Sequence, residues 1–271
     1  MNHLFNIKDK VILVTGGYGA LGSSISHYLS QQGAEVVIIG RSQEKAATLI
    51  NQIKKEGNKG YFVQADVMKI DELRKAKTEI IERSKRIDVL INVAGGNVPG
   101  ATLRDDQPIF DMKIEDWDKV INLNLNGTIY PCLVFGEAMA QAKSGSIINI
   151  SSMAALAVLT RVPGYSAAKA AITNFTKWLA NDLAQKYGDQ LRVNAIAPGF
   201  FIGEQNRKVL INQDGTLTER SHKILNNTPM GRFGNLSELN GYVHYLSSEA
   251  SSFVTATVLP IDGGFIAFSG V

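Results

Sequence analysis

Tyr165 and Lys169 stand four residues apart in GYSAAKAAITNFTKWLA, and Ser152, in SIINISSMAAL, precedes the tyrosine by thirteen residues. The run from Tyr165 to Tyr187 is Ala-rich and free of glycine, which predicts a helix. A four-residue spacing then puts both side chains on one face. A phenol near its ordinary pKa of about 10 exchanges protons poorly at neutral pH. An ammonium beside it favours the phenolate and moves the group toward the working range, so the pair reads as a tuned acid/base. Taken alone, a Tyr-x-x-x-Lys pair reads better as an exposed ring and a solvated lysine on an amphipathic helix.

This pair is not alone. KVILVTGGYGALG opens with the apolar run Val11–Val14 and passes through Gly16, Gly17, Gly19 and Gly22 into the helix-like SSISHYLSQQG. Strand, glycine turn and helix in that order make a phosphate cradle: glycine lets the backbone approach a pyrophosphate, and the helix N-terminus offers free N–H groups. A glycine turn by itself is a weak signal. With the Ser, Tyr and Lys at their spacing it becomes a strong one.

With these motifs in place, nearly the whole chain resembles the short-chain dehydrogenases/reductases. TGGYGALG is similar to that family's TGxxxGxG turn, NVAG at Asn92–Gly95 to its NNAG, and INLNLNG to the segment carrying its catalytic Asn, which falls on Asn124. NISS, YSAAK and RVNAIAPG follow in the family's order, and GRFGNLSEL and SSFVTATVLPIDGGF match its usual C-terminal pattern. Three positions depart from it. Ala20 stands at the middle glycine, Val93 at the second Asn of NNAG, and Gly203 where a Thr commonly contacts the nicotinamide amide.

The resemblance implies hydride transfer between a nicotinamide and a carbonyl carbon. In the reductive direction Tyr165 gives its proton to the developing alkoxide and Ser152 hydrogen-bonds the same oxygen. Lys169 tunes Tyr165 and holds the nicotinamide ribose, and Asn124 anchors a water feeding the relay. Ser151 is the competing serine, expected to point elsewhere if the strand pleat persists. The resemblance also implies a dinucleotide site in which Gly16, Tyr18, Gly19, Ala20, Leu21 and Gly22 form the turn. Asp66 and Val67 lie at the adenine, and Asn92, Ala94 and Gly95 beyond β-strand four. Tyr165 and Lys169 then meet the ribose, with Pro198, Gly199 and Phe201 past the sixth strand. No metal site is expected.

Cofactor preference depends on the end of the second strand. VVIIG ends in Gly40, followed by Arg41 and Ser42, so no acid stands where one would bond a ribose diol and repel a phosphate. The planar fork of Arg41 suits a 2′-phosphate and Ser42 can donate to it, which favours NADP(H). If Arg41 only stacks on the adenine or caps the next helix, NAD(H) is used instead.

For the substrate, GGNVPGAT after the fourth strand and the lid GFFIGEQNRKVLINQDGTLTERSHKILNNTPMGRFG, about 199–235, resemble the short-chain enzymes assigned as D-mannonate oxidoreductases, or fructuronate reductases. A hexuronate brings one carboxylate and several hydroxyls, which need a cation and amide or hydroxyl partners. Asn97, Gln205, Asn206 and Arg207 supply such groups, with Arg161 and Arg104 as further cations. Phe200, Phe201 and Ile202 keep an acyl-chain reductase open, and a gluconate-type polyol dehydrogenase is a further alternative. A reading from another class is a regulatory dinucleotide-binding protein without turnover. The complete Asn124, Ser152, Tyr165 and Lys169 set argues against it, since binding alone does not need all four.

The elements that position these groups follow from the hydrophobic pattern. Apolar runs at Val11–Val14, Val36–Ile39, Tyr61–Val63, Val89–Ile91, Ile147–Ile150 and Val193–Ala197 read as buried strands, Thr257–Ile261 as an edge strand, and the longer periodic stretches between them as helices. That alternation predicts an α/β single-domain Rossmann fold over residues 1–271: a doubly wound parallel sheet of about seven strands flanked by helices. At 271 residues and 45% hydrophobic the chain has enough apolar material for one large core. The single cysteine, Cys132, fits a core role in a reducing compartment. No secretion signal and no apolar run long enough to span a membrane is visible, so a cytoplasmic protein is expected. A net charge of +3 with interspersed signs argues against a nucleic-acid partner. The resemblance further implies a homo-oligomer, a tetramer or dimer.

Overall fold

In the computed structural model, which describes residues 3–203, 207 and 209–270, each apolar run forms a strand of one parallel sheet. The strands are β1 (Val11–Thr15), β2 (Glu35–Gly40), β3 (Gly60–Gln64), β4 (Val89–Asn92), β5 (Gly145–Ile150), β6 (Leu191–Pro198) and β7 (Val258–Ile261). Their spatial order is β3-β2-β1-β4-β5-β6-β7. The chain therefore reverses its direction of winding between β1 and β4, where open α/β sheets leave a ligand crevice at the carboxyl ends of the strands.

Strand alternation divides the core into two layers. Val11 and Leu13 of β1, Val37 and Ile39 of β2 and Leu90 of β4 face α3 (Ile70–Ser84), α5 (Gly127–Ala142) and α6 (Pro163–Tyr187). Ile12, Val14, Val36, Ile38 and Ile91 face α1 (Ala20–Gln31), α2 (Gln43–Lys55) and α8 (Asn240–Ser247). Both faces are covered, which is why the central strands carry apolar residues on both sides, with a few buried polar residues such as Asn92 and Asn149 hydrogen-bonded among them. Cys132 is buried in the first layer, where desolvation pushes its thiol up to about 12, so it is chemically quiet.

Two helices carry the candidate site. α6 begins at Pro163, which suits a first turn because its missing N–H has no helical partner there, and it runs without interruption past Tyr165 and Lys169. Between α4 (Ile114–Ile121) and α5, residues Asn122–Asn126 widen into a π-helical turn with Asn124 at its centre. Such turns break the regular ladder and recur at functional sites. The segment after β6 contains α7 (Glu219–Asn226) and two isolated bridges, Phe201 to Gly234 and Ile211 to Leu217. Gln205 and Asn206 lie outside the described residues. Among the described residues no helix is long and apolar enough to cross a membrane.

Candidate active site

The site is assembled by strand ends. The glycine turn follows β1, Arg41 follows β2, Asp66 follows β3, Ala94 follows β4, Ser152 follows β5 and Gly199 follows β6. All six leave the same edge of the sheet because every strand is parallel.

Lys169 is buried, and its Nζ donates to the Ile150 carbonyl at 2.7 Å while lying 5.6 Å from the Tyr165 ring centre. Burial pushes its ammonium down to about 8. Tyr165 is half-buried, and burial raises its phenol above the ordinary value, with the hydrogen bond to Ser152 acting in the opposite direction. The lowered phenol expected from the sequence is therefore not what this arrangement produces: desolvation outweighs the hydrogen bond to Ser152, which acts to lower it. A raised phenol stays protonated at neutral pH and is ready to donate.

Ser152 sits at the start of a short turn, where its Oγ accepts from the Ala154 N–H at 3.1 Å. Ser151, one residue earlier, turns the other way and shares a 2.7 Å hydrogen bond with Thr173 on α6, as the pleat predicts. Asn124 is fully buried. Its amide donates to the carbonyls of Gly96 and Val120, both at 2.8 Å, and its Oδ1 accepts from the Gly96 N–H at 3.0 Å. Asn124 thus clamps the backbone after β4. That backbone approaches so closely that a Cβ at Gly95 would meet Asn124 Oδ1 at 2.8 Å and Lys169 Nζ at 3.6 Å.

The glycine turn is a mould with no spare room. Gly16 has φ +64° and a Cβ there would meet Ala94 Cα at 2.9 Å; one on Gly22 would fall 2.3 Å from the Gly16 carbonyl oxygen. No side chain caps the N-terminus of α1, which leaves its first-turn N–H groups available to a phosphate. The residues present fit a dinucleotide. Tyr18 lies across the end of β2: its Oη accepts from the N–H groups of Arg41 at 3.2 Å and Ser42 at 3.3 Å. A Cβ on Gly40 would meet the Tyr18 ring at 2.4 Å, so the tyrosine excludes an acid from that position. Arg41 is exposed, while the Ser42 hydroxyl caps α2 by accepting from Lys45 N–H at 3.3 Å.

Other predicted residues are placed less simply. Asp66 accepts from the Met68 N–H at 3.0 Å, shaping the turn into α3, and Val67 is buried. The Asn92 side chain points into the sheet, donating to Asn149 at 2.9 Å and to the Cys132 sulfur at 3.2 Å, so only its backbone faces the crevice. Gly199 is required by a close approach, since a Cβ there would meet Asp262 Cα at 2.6 Å. Phe201 is buried against Gly234. Asn97 and Arg207 are exposed, and Arg104 is exposed and paired with Asp106. Arg161 donates from Nε to the Leu103 carbonyl at 2.7 Å. Two of the departures from the family pattern touch: a Cβ at Gly203 would lie 3.2 Å from the Ala20 methyl. Arg220, on the first turn of α7, escaped the sequence reading because nothing local marks it, although it is half-buried beside the loop that joins β5 to α6.

Comparison with known proteins follows the same lines. The short chain dehydrogenase family model matches residues 10–213. The chain is 43% identical over 275 residues to an uncharacterized oxidoreductase, UxuB, of Bacillus subtilis, covering 98% of each. A candidate D-mannonate oxidoreductase from Haemophilus influenza, solved with bound NAD, superposes with a TM-score of 0.91 at 39% identity, covering 98% of both chains. A gluconate 5-dehydrogenase from Burkholderia cenocepacia, in complex with NADP and tartrate, gives a TM-score of 0.87 at 31% identity over 98% of each chain.

Proposed function

Because this chain belongs to the short-chain dehydrogenase family, we propose that it interconverts a keto and a hydroxy sugar acid, with fructuronate and D-mannonate as the pair. The observation that carries the catalytic part is the convergence of Ser152, Tyr165, Lys169 and the Asn124-clamped backbone at one sheet edge, beside a turn moulded for a pyrophosphate. The sugar-acid part rests on the likeness to the candidate D-mannonate oxidoreductase and on the polar lid.

A nicotinamide dinucleotide supplies or accepts the hydride. The turn from Gly16 to Gly22 holds its pyrophosphate, Asp66 and Val67 flank the adenine, and Ala94, Gly95, Pro198, Gly199 and Phe201 line the remainder. Tyr165, protonated at neutral pH, delivers its proton to the forming alkoxide, and Ser152 holds that oxygen in place. Lys169 positions the ribose and replenishes the proton through a water near Asn124. By sequence, Asn97, Gln205, Asn206 and Arg207 supply the amides and the cation that a sugar acid needs.

NADP(H) is the favoured cofactor. Tyr18 fills the place an acid would take at Gly40, and Arg41 is exposed beside it. NAD(H) is the second reading, supported by the NAD in the H. influenza relative. Exposed Leu133 on α5 and Trp178 on α6 support a dimer or tetramer built on the long helices.

The test is turnover of fructuronate, D-mannonate, gluconate and an acetoacetyl thioester with each dinucleotide. Fructuronate with NADPH is expected to give the highest kcat/KM. Preference for the thioester would overturn the sugar-acid reading, and preference for NADH the cofactor reading.

A further inference from the structure

A cavity of about 400 Å³ opens between α7 and the loop joining β5 to α6, with Thr160 on one wall, Arg220 and Lys223 on the other, and Phe200 and Phe265 completing the lining. That loop, residues 151–162, carries Ser152 near its start and leads into the first turn of α6, which holds Tyr165, and Phe200 follows directly on Gly199 beyond β6. The cavity therefore borders the segments that carry the acid/base pair.

Arg220 lines this cavity, and Arg161 stands close enough behind it to act on its charge. Arg161 has φ +75°, a left-handed conformation that costs a side-chain-bearing residue free energy and persists only where its surroundings enforce it. Leu103 enforces it from both directions: its N–H donates to the Arg161 carbonyl at 2.8 Å, and its carbonyl accepts from Arg161 Nε at 2.7 Å. The guanidinium is thus fixed by its Nε, with Asp105 at 3.8 Å. Arg220 is half-buried, and its guanidinium makes no hydrogen bond or ion pair to any described residue. Burial and the nearby Arg161 both weaken its hold on the proton, and only Asp105 opposes them.

The lining alone balances, with Asp105 and Glu219 against Arg220 and Lys223, but with Arg161 just outside it the cluster holds three cations and two carboxylates. Lys223 is paired with Glu219 at 2.7 Å and Arg161 stands by Asp105 at 3.8 Å, which leaves the Arg220 guanidinium as the cation without an ion pair. A half-buried guanidinium without a partner is a ready site for a carboxylate, which its fork can hold through two bonds. We infer that Arg220, supported by Arg161, binds the substrate's carboxylate, and that this cavity rather than the exposed Arg207 selects an acid over a neutral polyol. The inference rests on the sugar-acid reading and adds to it the group that reads the charge.

The experiment uses the full chain with D-mannonate and D-mannitol as probes, by calorimetric binding and by steady-state kinetics. Arg220→Gln is expected to weaken D-mannonate binding about 10- to 100-fold, the range for loss of a charge-assisted contact. The D-mannonate to D-mannitol ratio of kcat/KM should fall at least about tenfold, with KM rising more than kcat falls. Arg220→Lys should recover part of the loss, since it restores the charge without the fork. Unaltered dinucleotide affinity and Tm in both variants exclude a folding defect. If Arg220→Gln binds D-mannonate as the unaltered protein does, or loses both probes alike, the inference is overturned and the sugar-acid reading stands. If the unaltered protein neither binds nor oxidises D-mannonate, both fall together.

Discussion

The turn after β1 and the segment after β6 leave the same edge of the sheet, yet they are held in opposite ways. The turn is fixed by absence of space: Gly22 is pressed to within 2.3 Å of the Gly16 carbonyl, measured to the Cβ it lacks, and Gly16 likewise against Ala94. The later segment has few buried residues, Leu210, Ser221 and Ile224 among them, and is tied by hydroxyls. Thr218 Oγ1 donates to the Val209 carbonyl at 2.9 Å and Ser221 Oγ to the Leu210 carbonyl at 2.5 Å. A mould made of backbone tolerates almost no substitution. A segment tied by replaceable polar contacts can change while the fold stays the same.

The largest effect is expected between the two regions, at the pair they both serve. Tyr165→Phe keeps the ring and removes the proton donor, so kcat should fall on the order of 10²- to 10⁴-fold while dinucleotide and substrate affinities are unchanged. Fluorescence titration alongside kinetics checks it. A loss of dinucleotide affinity equal to the loss of kcat would mean that Tyr165 shapes the cofactor site rather than the chemistry.

Next in size are the glycines themselves. Gly22→Ala must displace backbone and should cost about 1–3 kcal/mol, with loss of dinucleotide binding. Gly215 in the lid has φ +86° but nothing within 4 Å of an added Cβ, so Gly215→Ala should cost only about 1 kcal/mol from backbone strain and leave the dinucleotide bound. Urea unfolding of the two variants measures the difference directly, and equal costs would erase the contrast between mould and tether.

How far each region was legible in the sequence follows the same division. The seven strands declared themselves as apolar runs, and the turn, Ser152, Tyr165 and Lys169 as motifs, because the physics that fixes them acts between near neighbours. What escaped depends on contacts between distant segments. Tyr18 blocks Gly40 from across the turn, Asn92 turns inward because Asn149 and Cys132 await it, and Arg220 matters only once α7 is laid beside the loop before Tyr165. The direction of the Tyr165 shift was misread for a related reason: spacing shows that Lys169 is near, but burial, which dominates, appears only when the fold closes.

Burial of Lys169 has a consequence for pH. Its folded pKa of about 8 lies below the ordinary lysine value of 10.5, so between those values the unfolded chain binds more protons than the folded one. Stability without dinucleotide should therefore rise as pH goes from about 8 to 10.5, by up to about 3 kcal/mol, the penalty being fully present below pH 8. Comparison with Lys169→Met isolates the contribution, since that variant lacks the titrating group. If both proteins show the same slope over this window, the lysine is not desolvated in the way described.

The smallest effect tests whether the two regions are independent at all. Ala20, in the turn, and Gly203, in the lid, are the two family departures that touch, with 3.2 Å between the Ala20 methyl and a Cβ placed on residue 203. That separation is tighter than ordinary van der Waals contact, so a side chain at 203 would have to displace the methyl at 20 by a few tenths of an ångström. Gly203→Thr alone should cost about 1 kcal/mol in stability or dinucleotide affinity, while the same change on an Ala20→Gly background should cost less, giving a coupling of about 0.5–1 kcal/mol in a double-mutant cycle. Additive costs would mean that mould and tether meet without constraining each other. A measurable coupling would show that the path of the segment after β6 is set in part by one methyl group in the glycine turn, so that the two regions, held so differently, cannot be altered independently at this point.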